Sequence, residues 1–311
     1  MTESRRFLEG GDILVATDGS PDAGTALTAA VELCRKTGGS LRLAHVLPDV
    51  NVPLSGDPAR FEEEGKRLLE EAASRVSGTG VRVEKHLLSG IPFREIVRLS
   101  KELEASLIVM GSRGLGLLGR LTLGSVTEAV CHHARSPVLV LRGGEAAWPP
   151  ERVVVADDGS PAARAAAELA AVIGGLFGAG GLLVRAYHAP AYHTMAQARA
   201  EMLAGRAGLP EREESEIRGR ISDDAEELAE RARRLSEISG EPFETLAEAG
   251  EPAYLVVDAA SRSGMETSTL VAAGDRGLGA LKRMWLGSVS TNLLRATRGP
   301  VLLCPAPEED V

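Results

Sequence analysis

Two stretches of the chain carry residues suited to holding an anion. "GSRGLGLLGRLTLGS" runs from Gly111 to Ser125, and "GDRGLGALKRMWLGS" runs from Gly274 to Ser288. Each reads Gly, two residues, Gly, nine residues, Gly-Ser, and each follows an apolar run. Glycines let a backbone approach a phosphate with no Cβ in the way. Both segments lead from a strand end into a helix start, where free N–H groups and the helix dipole attract negative charge. The hydroxyls of Ser125 and Ser288 would add to such a cradle. A merely flexible glycine loop is the plain alternative, and the same spacing written twice counts against it. The first strand of each copy ends in a carboxylate, Asp18 in "VATDGS" and Asp158 in "VADDGS". The Gly-Ser-Pro that follows is ordinary turn and helix-start chemistry, with Ser as N-cap and Pro at the first helical position. That chemistry does not require the Asp. A carboxylate at this place could bind ribose hydroxyls or a phosphate-bound Mg²⁺.

Two familiar phosphate motifs do not apply. "GLGLLG" (Gly114 to Gly119) satisfies G-x-G-x-x-G, but it follows the fourth strand rather than the first, and the second copy reads "GLGALK". No G-x-x-x-x-G-K-[ST] loop occurs. Cys131-His132-His133 are consecutive residues of a helical pattern, point in three directions and cannot converge on a metal. Cys34 and Cys304 read as packing residues, and His188 and His193 as loop residues.

The elements that must position these groups are also written twice. "ILVATDGSPDAGTAL" (Ile13 to Leu27) matches "VVVADDGSPAARAAA" (Val153 to Ala167), and "RLAHVLP" (Arg42 to Pro48) aligns with "VRAYHAP" (Val184 to Pro190). "SGIPFREIV" (Ser89 to Val97) aligns with "AGEPAYLVV" (Ala249 to Val257), and "SPVLVL" (Ser136 to Leu141) with "GPVLLC" (Gly299 to Cys304). The chain is a tandem duplication, with domains at residues 1–145 and 151–311 and a Gly/Pro-rich linker, "GGEAAWPPE", between them. By this alignment, eighteen of the second copy's extra residues fall between Pro190 and Gly250. They include the charged segment "EREESEIRGRISDDAEELAERARRLSEIS", read as a long, mostly solvated helix with Ile217, Ile221, Leu228 and Leu235 on one face.

Within the first copy the pattern predicts strands at Ile13–Thr17, Leu41–Val46, Val81–Leu87, Leu107–Met110 and Val138–Leu141. Helices are predicted at Pro21–Lys36, Pro58–Val76, Pro92–Leu103 and Ser125–Ala134. Strands alternating with helices imply right-handed parallel crossovers and a three-layer α/β/α sandwich. "LIVM" and "PVLVL" are unbroken apolar runs, as expected of strands covered on both faces.

Composition narrows the function. The formal net charge of -9 and 3% aromatic content argue against a nucleic-acid or anionic-membrane partner. Three widely spaced cysteines give no disulfide framework or zinc spacing and fit a reducing cytoplasm. "MTESRRFLEGG" holds no signal-peptide-like apolar stretch, and "AVIGGLFGAGGLLV" is too short to span a bilayer. We read the latter as a helix end, a Gly turn and a strand.

Together, the duplicated glycine spacing and the strand-end Asp resemble the ATP-binding branch of the universal stress protein family, over nearly the whole chain, twice. The resemblance implies a Rossmann-like, adenine nucleotide alpha-hydrolase-like fold, each domain an open five-stranded parallel sheet in order 3-2-1-4-5. It implies pairing through the fifth strands, so that "PVLVL" and "PVLLC" would join the repeats as an internal pseudo-dimer, and further homodimerisation. It implies ATP, or AMP or ADP, with Mg²⁺. Asp18 would contact ribose or metal, the Val46 backbone adenine, and Met110 and Gly111 the base and ribose. Gly114, Gly124, Ser125 and Val126 would hold the phosphates. The matching second set is Asp158, His188, Ala273, Gly274, Gly277, Gly287, Ser288 and Val289. In that copy Asp157 and Asp275 stand where Thr17 and Ser112 stand, and the added negative charge is expected to make the second site weaker, with Arg276, Lys282 and Arg283 available to compensate. No catalytic set is visible. Three readings stay open at the sequence level: a nucleotide-binding regulatory protein of the stress response, a slow Mg²⁺-dependent ATPase or nucleotide hydrolase, and an interaction protein of the same fold that binds no nucleotide.

Overall fold

The computed structural model describes residues 8–47, 58–114, 123–142, 147–187, 211–275 and 287–306. The first half runs β1 (Asp12–Ala16), α1 (Pro21–Thr37), β2 (Ser40–Leu47), α2 (Pro58–Val76), β3 (Arg82–Ser89), α3 (Pro92–Glu102), β4 (Leu107–Gly111), α4 (Ser125–His133) and β5 (Val138–Leu141). The second runs β6 (Arg152–Asp157), α5 (Pro161–Phe177), β7 (Gly181–Tyr187), α6 (Glu211–Ser239), β8 (Phe243–Ala249), α7 (Pro252–Ser261), β9 (Thr269–Gly274), α8 (Ser288–Ala296) and β10 (Val301–Cys304). No helix among the described residues is long and apolar enough to cross a membrane.

Local chemistry sets the helix ends. Ser20 and Ser160 cap α1 and α5, their hydroxyls accepting from Ala23 N at 3.2 Å and Ala163 N at 3.1 Å. Both helices stop at a left-handed glycine, Gly38 (φ 71) and Gly178 (φ 72), a conformation that costs other L-residues more. The second of these is the Gly turn within "AVIGGLFGAGGLLV", with β7 following.

The ten strands of the described residues form one sheet in the order β3-β2-β1-β4-β5-β10-β9-β6-β7-β8. Pairing is parallel within each half. It is antiparallel only at the centre, where Val140 opposes Val301, Leu139 opposes Leu302 and Val138 opposes Leu303. Each half thereby covers the edge strand that the other would expose. Successive residues point to opposite faces, so Leu139 and Leu302 enter one core layer, with α1, α2, α5 and α6, while Val140 and Leu303 enter the other. Each layer is continuous across both halves.

Strand register corrects the alignment of the two copies at their second strands. Ala16 pairs Ala44 in the first half and Ala156 pairs Val184 in the second. Gly90 N donates to Leu47 O at 3.1 Å, and Gly250 N donates to Tyr187 O at 3.0 Å. Val46 therefore answers to Ala186, not to His188 two residues on, and twenty extra residues fall between Tyr187 and Ala249. Gapless matching of "RLAHVLP" to "VRAYHAP" followed side-chain type, which a two-residue slip preserves because strand faces alternate.

The charged segment forms the whole of α6 and docks on the sheet through Ile217, Leu228, Ala232 and Leu235. A buried ion cluster fixes it at the end of β6. Asp157 Oδ2 meets Arg185 Nη2 at 2.5 Å, and Asp157 Oδ1 meets Arg231 Nη1, from α6, at 2.6 Å. Burial opposes the charge on Arg185, but the Asp157 carboxylate outweighs it and raises the guanidinium pKa. Asp157→Ala should therefore destabilise the chain by about 3–5 kcal/mol, because two guanidinium groups lose a shared, buried partner. Urea denaturation of wild type and variant checks this. The thiols provide a second test. Burial pushes Cys34 and Cys131 up to about 12 and raises Cys304 as well. All three should resist Ellman's reagent at about pH 8 in the native protein and react on denaturation.

Candidate functional site

In the first half, β1 and β4 lie side by side with Ala16 opposite Met110, so the turn after β1 and the loop after β4 emerge together. Asp18 opens the turn into α1. Its Oδ1 accepts from Ser20 N at 3.0 Å, and its Oδ2 faces the loop so closely that a Cβ at Gly114 would stand 2.5 Å away. A side chain at position 114 would therefore have to displace the Asp18 carboxylate.

The loop is tied at both ends. Ser112 N donates to Leu141 O and Gly124 N donates to Ser112 O, each at 2.7 Å. Thr127 Oγ1 donates to Gly111 O at 2.8 Å. Ser112 Oγ donates to the buried Asp22 at 2.8 Å, and Arg113 Nε reaches the same Oδ2 at 3.2 Å. A Cβ at Gly111 would lie 2.7 Å from Ala23 N, so this glycine answers to strand–helix packing as well as to any ligand. Gly124 is the N-cap of α4 and has no side chain to cap the first turn.

These parts enclose a cavity of ≈ 540 Å³, within the range of small-molecule sites. All eight first-half residues expected from the sequence line it: Asp18, Val46, Met110, Gly111, Gly114, Gly124, Ser125 and Val126. The lining includes the apolar residues Ala44, Val46, Pro92, Ile96, Met110 and Leu123. It also includes the polar residues Thr17, Asp18, Arg113, Ser125 and Thr127. His45 and Glu128 complete the lining, and His45 Nδ1 lies 2.8 Å from Thr17 O. Sequence reasoning did not single out Pro92, Ile96 or Glu128 for the site. The repeated "SGIPFREIV" marked a helix start, but only the crossover after β3 carries it over β2.

The second half repeats the frame. Asp158 Oδ1 accepts from Ser160 N at 2.9 Å. Asp275 N donates to Cys304 O and Gly287 N to Asp275 O, each at 2.7 Å, and Ser290 Oγ donates to Gly274 O at 2.6 Å. Ala273 and Gly274 end β9, Gly287 caps α8, and Ser288 and Val289 begin it. His188 and Gly277 lie outside the described residues, as do Arg276, Lys282 and Arg283. Two pairs change. Thr17 and His45 become Asp157 and Arg185, and Asp22 and Ser112 become Ala162 and Asp275. The expectation that Asp157 adds negative charge to this site needs correction, since its carboxylate is held by Arg185 and Arg231. Asp275 remains as the carboxylate at the loop start.

Comparison with known proteins agrees with this duplication. The model of the universal stress protein family matches residues 11–142 and again 150–305. Universal stress protein YxiE of Bacillus subtilis is 36% identical over 144 residues, 42% of this chain and 97% of its own. A universal stress protein of Mycolicibacterium smegmatis is 28% identical over 313 residues, covering 94% of this chain and 96% of its own. The crystal structure of a universal stress protein from Archaeoglobus fulgidus superposes with a TM-score of 0.68 at 22% identity, covering 97% of this chain and 98% of that one, which shows the shared fold. The chain is therefore a member of the universal stress protein family that carries two of its domains in tandem.

Proposed function

We propose that the first-half cavity binds an adenine nucleotide, ATP foremost, as a regulatory ligand. The observation that carries this reading is the cavity's lining, which combines apolar side chains with a helix start. Val46, Met110, Pro92 and Ile96 suit a base, and the uncapped start of α4 lines the same cavity. Asp18 lines the cavity as well and would take the ribose hydroxyls. The phosphates would take the first-turn N–H groups of α4 and the Ser125 hydroxyl, with Gly114 and Gly124 leaving room for them.

Among the described residues no group of three or more acidic, His or Cys side chains could hold a metal. A single carboxylate oxygen facing the phosphate loop nevertheless suits Mg²⁺, which keeps waters and takes one or two carboxylates plus phosphate oxygens. Asp18 would hold it in the first half and Asp158 in the second, where it would screen phosphate charge. The second half would use Asp158, Ala186, Ala273, Gly274, Gly277, Gly287, Ser288 and Val289. Asp275 stands there where Ser112 stands, and it weakens the second site.

Titration with Mg-ATP tests the reading. Gly114→Val should abolish binding to the first half by driving a side chain into Asp18, with the fold retained. Asp18→Ala should weaken binding, and phosphate release should not depend on Asp18. Undiminished binding by Gly114→Val would refute the site, and Asp18-dependent turnover would replace the regulatory reading with a hydrolytic one.

A further inference from the structure

Glu128 is a carboxylate in the wall of a cavity read as an anion site. It follows Ser125, Val126 and Thr127 on α4, and all four line the cavity. Left alone, its charge would oppose phosphate across a short distance. It is not left alone: Arg295 Nη2, from α8 of the second half, lies 2.9 Å from Glu128 Oε1.

The position of Arg295 is itself fixed from the first half. Arg142 is buried and follows directly on β5, and its Nη2 donates to Leu294 O at 2.6 Å and Arg295 O at 3.2 Å. These carbonyls belong to the last turn of α8, where a cation satisfies acceptors that the helix cannot. The residue before Arg142 is Leu141, whose carbonyl accepts from Ser112 N at the start of the glycine loop. One strand end thus holds both the loop of the cavity and the helix that brings Arg295 to it.

The arrangement is one-sided. Helices α4 and α8 correspond from Ser125 and Ser288 onward, so Glu128 answers to Thr291 and Arg295 to His132. The second copy has no carboxylate at that position.

We infer that the second half completes the first-half site: Arg295 neutralises Glu128 and so sets the affinity of the cavity for highly charged ligands. Arg295 is a positioning residue that acts through Glu128. The inference rests on the nucleotide reading of the cavity. Arg295 is largely exposed and Glu128 partly so, with side-chain exposures of 56% and 31%. The pair should add little to stability, so variants should fold with thermal midpoints close to wild type.

The experiment compares ATP, AMP and adenosine binding by calorimetry in wild type, Arg295→Ala, Arg295→Lys and the double variant Glu128→Gln/Arg295→Ala. The first-half signal is the one that Gly114→Val removes. Arg295→Ala should weaken ATP on the order of three- to ten-fold at low salt, AMP less and adenosine not at all. High salt should shrink the difference. Arg295→Lys and the double variant should each restore binding. Equal loss for all three ligands would reveal a merely structural role and overturn the inference. So would unchanged or tighter ATP binding by Arg295→Ala. If wild type binds none of the three, the nucleotide reading itself fails, and the inference with it.

Discussion

The site depends on the adjacency of β1 and β4. Their parallel register places Val15 beside Val109 and Ala16 beside Met110. The chain leaves β1 toward α1 on one face of the sheet and leaves β4 toward α4 on the other. The crevice between the departing segments is where an open parallel sheet exposes helix starts without covering them. Asp18, the described ends of the glycine loop and the uncapped end of α4 meet there. The close approaches follow from the same adjacency: Gly111 lies against the start of α1, and Gly114 against the Asp18 carboxylate.

The antiparallel pairing of β5 with β10 adds a second level. It merges two five-stranded sheets into one and makes their core layers continuous. It also brings α4 and α8 together near the strand ends that support the two loops. Arg142 and the Glu128–Arg295 pair lie at this junction, so the environment of one cavity includes atoms from the other repeat. Duplication within one chain lets the two copies diverge at matched positions. Thr17 and His45 against Asp157 and Arg185, with α6 packed on the latter pair, are one such divergence.

Much of this was legible in the residues. The helix from Pro58 to Val76 and the strand from Val138 to Leu141 have the bounds that periodicity gave, because Pro and Gly punctuate a clear apolar rhythm. The strand-end Asp and the glycine spacing located the first-half cavity, since they are local in sequence. Contributions that arrive across the fold were not legible. Ile96 reaches the cavity only through the crossover after β3, and Arg295 only through the central strand pair. The register of β7 was misread because alternating strands look alike when shifted by two residues. The charge on Asp157 was misjudged because its partner Arg231 comes from α6, a segment without a counterpart of its length in the first copy.

The most direct measurement is the content of the cavity. Purified protein, incubated with Mg-ATP and desalted, would be denatured and the released nucleotide identified by mass and molar ratio to the chain. The account predicts an adenine nucleotide, one per chain when only the tighter first-half site retains it. Release of no nucleotide from well-folded protein would contradict it, and the repeated glycine spacing would then reflect strand–helix packing and shared ancestry rather than a ligand.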